Sequence, residues 1–257
     1  MNKKMRFLAV PALALGAVAM AGSPALAADG TYSSTLGQLN GTTGTGTVTV
    51  DVAGDQATVN LQVSGLAETF MDGPYPHVQH VHGNAMGTCP VPADDADGNG
   101  IISTTEAAGR YGDILTTLST SGDTTPAAAL NLELGGQGGS YTIERTITID
   151  EAQQKSLEEG TSVVVVHGLD PATAGVSEDV FNSPSDLDPE LPLGATSPAL
   201  CGTLVMDQMA AMPEGGADTG VATESSSTGM IALGGGLVLA AAAGGTYAVR
   251  RRAAHNA

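Results

Sequence analysis

The sequence predicts an all-β domain, an eight-stranded antiparallel Greek-key sandwich or barrel with one short helix, set between two apolar ends. Three observations carry this expectation. Apolar and polar residues alternate with period two over long stretches, as half-buried strands require. The 257 residues include 35 glycines and 13 prolines, which interrupt the chain too often for long helices. Hydrophobic residues make up 42% and charged residues 14%, enough to bury a core and too little charge for a disordered acidic chain. That core has to be aliphatic, because Trp is absent and aromatic residues are 3%.

In chain order, residues 1–27 have the pattern of a secretory signal peptide. Lys3, Lys4 and Arg6 precede an apolar run from Phe7 to Ala21, and Ala25-Leu26-Ala27 predicts cleavage before Ala28. The β-domain is expected over 28–209. Its first strand lies near Tyr32 to Leu39. From Thr47 to Ser64 a hairpin is predicted, with Val48, Val50 and Val52 on one face of the first arm and Ala57, Val59, Leu61 and Val63 on the same face of the second. Further strands are expected near Val78 to His82, Ile114 to Ser119, Tyr141 to Ile149, Ser162 to His167 and Leu200 to Met206, which completes eight. Arg145 falls on the apolar side of its strand and predicts a bulge or an exposed edge. The one helix is expected over Glu151 to Glu159, opened by Asp150 with Gln153 in the manner of a capping box and ended by Gly160.

After the domain comes a polar linker over 210–229, an uncharged apolar stretch over 230–249 and a basic tail over 250–257. Twenty apolar residues at 1.5 Å each cross a bilayer core, and Arg250, Arg251 and Arg252 place the tail in the cytoplasm, so a transmembrane anchor with the domain outside is expected. Thr219-Gly220, the apolar span and the arginines together resemble the sorting signal of Gram-positive wall-anchored proteins. Such signals begin Leu-Pro or Leu-Ala, whereas here Ala217-Asp218 precedes the Thr-Gly and the nearest proline is Pro213. Two forms of surface attachment therefore fit, a plain membrane anchor and a covalent link to cell-wall peptidoglycan after cleavage between Thr219 and Gly220.

Between the ends, Arg110, Arg145 and Lys155 face all 27 carboxylates, a net charge of −24 from Ala28 to Val249. Such a surface repels phosphate backbones and excludes a nucleic-acid partner. The chain has two cysteines, Cys89 and Cys201, which an exported protein can join in one internal disulfide bond.

The segment DADGNGIISTTE fits the EF-hand calcium pattern at its constrained positions. The turn at Gly100 lets Asp95, Asp97 and Asn99 converge as oxygen donors. Ile101 offers its carbonyl, Ser103 a water, and Glu106 a bidentate carboxylate. Pro90 and Pro92 forbid the usual entering helix. Calcium is the cofactor this loop predicts, and its expected role is to hold a long connection in shape.

Four histidines precede the linker: His77, His80, His82 and His167. His80 and His82 share one face of a strand, so the pair can chelate a single ion, and His167 ends the apolar strand SVVVVH. The alternative is that these imidazoles hydrogen-bond across the sheet. PHVQHVHG, VVVVHG and ALCG, in that order on an eight-strand pattern, resemble the CHRD domain, a secreted β-domain, and are similar to copper/zinc superoxide dismutase. The resemblance covers about Tyr32 to Gln208. It implies His80, His82 and His167 as copper ligands, and Cys201 paired with Cys89. His77, three residues before His80, faces the other way on a regular strand and needs a bend at Pro76 to serve as a fourth imidazole.

Two departures from the dismutase pattern bear on activity. No histidine lies between His82 and His167, where the zinc ligands belong. From Gly168 to Cys201 there is no Lys or Arg, only Asp170, Glu178, Asp179, Asp186, Asp188 and Glu190, which repel superoxide. The sequence thus predicts a cell-surface CHRD-type binding or structural module, calcium-stabilised, with copper on the histidines and an extracellular ligand or surface partner. A copper-only dismutase-like enzyme is the alternative.

Overall fold

The computed structural model describes residues 28–207. The signal peptide, the Thr219-Gly220 motif, the apolar span and the basic tail fall outside the described residues, among which no helix is long and apolar enough to cross a membrane.

β1 (Gly30–Gln38), β2 (Thr45–Ala53) and β3 (Gln56–Ser64) form an antiparallel meander. Alternation sets its register: Val48 lies opposite Leu61 and Val50 opposite Val59, all inward. Two short pairs follow, β4 (Thr69–Phe70) with β5 (Gly73–Pro74), and β6 (Pro76–His77) with β9 (Gly136–Gln137). β7 (Gln79–Gly83) leads through the calcium-type loop into α1 (Thr104–Tyr111) and β8 (Asp113–Thr117). After β9 come β10 (Tyr141–Thr148), α2 (Glu151–Glu158), β11 (Val163–His167), the single-turn helices α3 (Glu178–Phe181) and α4 (Leu193–Thr196), β12 (Pro198–Thr203) and β13 (Val205–Met206).

Eight of these strands make one sheet in the order β10-β3-β2-β1-β12-β11-β7-β8, antiparallel at every pairing and curled into a half-barrel. β13 extends the β12 pairing along β1 in unchanged register, Gly37 opposite Cys201 and Ser33 opposite Val205. All eight expected strands are present. The single expected helix is found as α2, whose Asp150 carboxylate accepts from the Gln153 amide, but α1, α3 and α4 also form. Two of them start at side-chain caps: Ser103 with Glu106 closes a capping box on α1, and Ser177 caps α3, whereas α4 follows Pro192 without one. Arg145 sits on the edge strand β10 with no register shift, and its guanidinium donates across the barrel opening to Ser119 and Gly122.

Burial divides β11 between two cores. Val164 and Val166 join Val81, Leu200 and the β1–β3 residues in the main core, whereas Val163 and Val165 pack with Ile102, Ala107, Tyr111 and Cys201 on the opposite face. Each such side chain contributes about 1.5–3 kcal/mol of burial, so a strand reading Val-Val-Val-Val fits only where both faces are covered. The Cys89–Cys201 disulfide ties the start of the calcium-type connection to β12. Its two ends lie 112 residues apart, and closing so long a loop stabilises by about 4–5 kcal/mol in the chain-entropy model.

Candidate metal centre

His80 pairs with Val165 and His82 with Val163 across β7 and β11, so both imidazoles project onto the face of the smaller core. His167 follows from the end of β11, where the pairing with β12 shifts register. The rings converge, with centroids 5.7 Å (His80–His82), 5.1 Å (His80–His167) and 6.1 Å (His82–His167) apart. One ring nitrogen from each lies within 4.8 Å of the others.

The hydrogen bonds at the second nitrogens fix which atoms face inward. His80 Nε2 donates to the Ala129 carbonyl at 3.0 Å, His82 Nδ1 to Gly112 at 2.9 Å and His167 Nδ1 to Thr196 at 2.7 Å. Each carbonyl accepts only from N–H, so the remaining nitrogens carry lone pairs. Those atoms, His80 Nδ1, His82 Nε2 and His167 Nε2, are buried and have no hydrogen-bond partner. Orphaned buried nitrogens are costly by themselves. Three from one site, each oriented by a carbonyl behind it, form a donor set that a metal ion fits.

Electrostatics keeps the set unprotonated. Burial, then the like charges of His167 and His82, hold His80 well below the usual histidine range. Burial and the His167 charge bring His82 to about 3, and burial brings His167 to about 4 against the opposing Thr196 carbonyl. All three imidazoles are therefore neutral at pH 7.

α1 holds two of them from behind. Its C-cap Gly112 supplies the acceptor for His82, and Tyr111 packs on the His82 ring at 4.4 Å. Thr104 donates to the same Thr196 carbonyl that accepts from His167. Gly112 adopts φ 85°, and a Cβ there would lie 1.9 Å from the Gly83 carbonyl oxygen. Sequence reasoning missed Tyr111, Gly112, Ala129 and Thr196, because three of the four act through backbone carbonyls that any residue carries.

His77 stands apart from this cluster. It is fully buried, and its Nδ1 and Nε2 lie 3.0 Å from the carbonyls of His167 and Ala67 respectively. Neither nitrogen is available to a metal, and the ring instead stacks on Tyr75 at 4.5 Å. Its expected place as a fourth imidazole is not realised, because the short β6 pairing with β9 keeps it on the opposite course from His80.

A cavity of about 330 Å³ opens beside the histidines, with His80 and His167 in its wall.

The calcium-type loop brings Asp95, Asp97 and Glu106 together, with one carboxylate oxygen from each within 4.8 Å of the others. Gly100 N–H donates to Asp95 and Ile101 N–H to Asn99, so the turn forms as the spacing requires. Ile101 is fully buried in the main core and anchors the loop. Ser103 caps α1 with its hydroxyl, while both Glu106 oxygens accept backbone N–H groups, Oε1 from Ala96 and Asp97 and Oε2 from Ser103. No entering helix precedes the loop; a short 3-10 turn at Pro92–Asp94 takes its place, clamped by the Asp94–Arg110 ion pair.

No protein-family model matches the chain, and no curated protein is significantly similar to it.

Proposed function

We propose that this chain is a surface-displayed CHRD-type β-domain that holds one copper ion on His80, His82 and His167 and is stabilised by calcium in the Asp95–Glu106 loop. The observation that carries the metal reading is the trio of buried, unpartnered ring nitrogens, each oriented by a backbone carbonyl behind it. Copper is favoured because an all-imidazole set binds the first-row divalent ions with greatest affinity at copper. Calcium suits the other loop, whose donors are all oxygens. A Greek-key winding fits a sheet in which β12 returns beside β1, and the Cys89–Cys201 bond suits an extracellular domain.

Bound copper would supply a redox-active centre held by His80, His82 and His167. The chain contributes three neutral, buried imidazoles on the face of the smaller core, and its connection from Gly168 to Cys201 has no cation to draw in an anion. A copper-only dismutase-like enzyme would use the same imidazoles. The charge of −24 and the cation-free connection from Gly168 to Cys201 favour instead a binding module that meets an extracellular ligand or surface partner.

Elemental analysis of the full chain after exposure to copper and calcium tests this reading. It should give one copper per chain in the wild type and none in the His80→Ala, His82→Ala double variant. A wild-type chain without copper would return the histidines to a structural role.

A further inference from the structure

We propose that the apolar cavity beside His80 and His167 binds a small hydrophobic ammonium ion, with the apolar body inside and the positive charge at the mouth. This goes beyond the metal reading and does not depend on it, because the three free imidazole nitrogens take no part.

The cavity measures about 330 Å³, within the range of small-molecule sites. Phe70, Ile114, Leu130, Leu132, Leu187 and Leu191 form much of its wall, and among the described residues no Lys, Arg, Asp or Glu lines it. Leu130, Leu132 and Leu187 are each more than one-third exposed, so the rim is apolar as well as the interior. Exposed apolar surface that leads into an apolar cavity marks a place where the body of a ligand is buried.

The charge around that wall has one sign. Asp113, Glu133, Asp186, Asp188 and Glu190 each adjoin a lining residue in the chain, and all are at least partly exposed. No Lys or Arg adjoins one. Two carboxylates act on the wall in space as well as in sequence. Asp186 accepts from the backbone N–H of Thr105, next to the lining residue Thr104. Burial and then the charge of Asp170 raise the Tyr75 hydroxyl, and Tyr75 also lines the cavity. The basic residues among those described have other partners: Arg110 pairs with Asp94, Lys155 with Glu159, and Arg145 donates to Ser119 and Gly122. An anionic amphiphile would bring its head into this field uncompensated, whereas a cationic head is attracted to it. A neutral ligand gains only the burial of its apolar part.

The test uses the full chain at neutral pH and four probes: 4-(4-fluorophenyl)butyltrimethylammonium, the corresponding butanol and butanoate, and tetramethylammonium. The quaternary head cannot bond to a metal, so copper content does not enter the result. Binding is read from the fluorine resonance against a protein-free blank, and for tetramethylammonium from competition with the fluorinated cation. At low ionic strength the fluorinated ammonium should bind about tenfold tighter than the butanoate, because reversing the charge of the head reverses its interaction with several exposed carboxylates worth a few-fold each. The gap should narrow at about 0.5 M salt. Tetramethylammonium, which has no apolar body, should not compete. Ala195→Phe, which places a ring in the cavity, should abolish binding of all three fluorinated probes. Asp186→Asn, which keeps an acceptor for Thr105, combined with Asp188→Asn and Glu190→Gln should bring the ammonium and the butanoate to within about threefold of each other and leave the butanol unchanged. Equal wild-type affinity for the ammonium and the butanoate, ammonium binding undiminished by Ala195→Phe, or a charge preference unchanged in the triple variant would overturn the proposal. Elemental analysis of the same samples separates the two readings. A chain that holds copper but not the ammonium overturns this proposal alone, and a chain that binds the ammonium without copper supports it and overturns the metal reading.

Discussion

His77 and His80 lie three residues apart, and the partners of their nitrogens separate their roles. His80 keeps one nitrogen without a partner, whereas both His77 nitrogens face carbonyls. Replacing His77 with Phe should therefore leave copper stoichiometry at one per chain yet destabilise the domain by about 2–4 kcal/mol, as expected where buried carbonyls lose their partner; chemical denaturation with parallel elemental analysis checks both. Loss of copper in that variant at full stability would make His77 a ligand after all. The pH response of the metal-free chain follows from the triad. His82 and His167 are lowered to about 3 and about 4, and His80 well below its ordinary value, so all three stay neutral in the fold and take up protons once unfolded. Their contribution is fully present above about pH 6.5 and declines as pH falls toward 4, by at most about 1.4 kcal/mol per pH unit for each group. Denaturation midpoints that stay flat from pH 7 to pH 5, above the main carboxylate range, would contradict this. The two-residue strand period made His80 and His82 legible as a candidate chelating pair, and His167 joined them through the resemblance of its strand. The sequence could not reveal their tautomers, which depend on carbonyls of Ala129, Gly112 and Thr196 brought in by distant loops.

At the scale of elements, the eight strands and α2 were legible, and α1, α3 and α4 were not. β2 and β3 alternate strictly, so pattern and burial coincide along their whole length. α1 buries only Thr104, Ala107 and Tyr111 over eight residues, too few for a helical period to stand out, and its start is hidden inside the calcium-type loop. Yet α1 joins the two candidate metal sites: Glu106 belongs to its first turn, and its C-cap carbonyl orients His82. Calcium at millimolar concentration, the range of extracellular modules, should raise the melting temperature of the full chain. Asp95→Ala with Glu106→Ala should abolish the rise, and an unchanged wild-type melting curve would refute calcium stabilisation. Gly112→Ala forces a side chain onto the Gly83 carbonyl at φ 85°. It should weaken copper binding about tenfold or more by displacing the His82 acceptor, in keeping with the loss seen when partners behind metal ligands are removed. Unchanged copper affinity would show that α1 does not position His82.

For the molecule as a whole, charge and apolar surface point to the same chemistry. Three cations against 27 carboxylates between the ends leave a field that slows the approach of superoxide, so copper-loaded protein should dismutate it far below the diffusion limit. Activity near the diffusion limit, followed by pulse radiolysis, would restore the enzyme reading. The central claim is that three imidazoles on one face of a curled sheet hold a single metal ion, and pulsed electron paramagnetic resonance of the cupric protein tests it most directly. The account predicts one copper with nitrogen couplings from three imidazoles, reduced by one in each single variant His80→Ala, His82→Ala and His167→Ala and unchanged in His77→Phe. Couplings from fewer than three imidazoles in the wild type, or a spectrum indifferent to these substitutions, would contradict it.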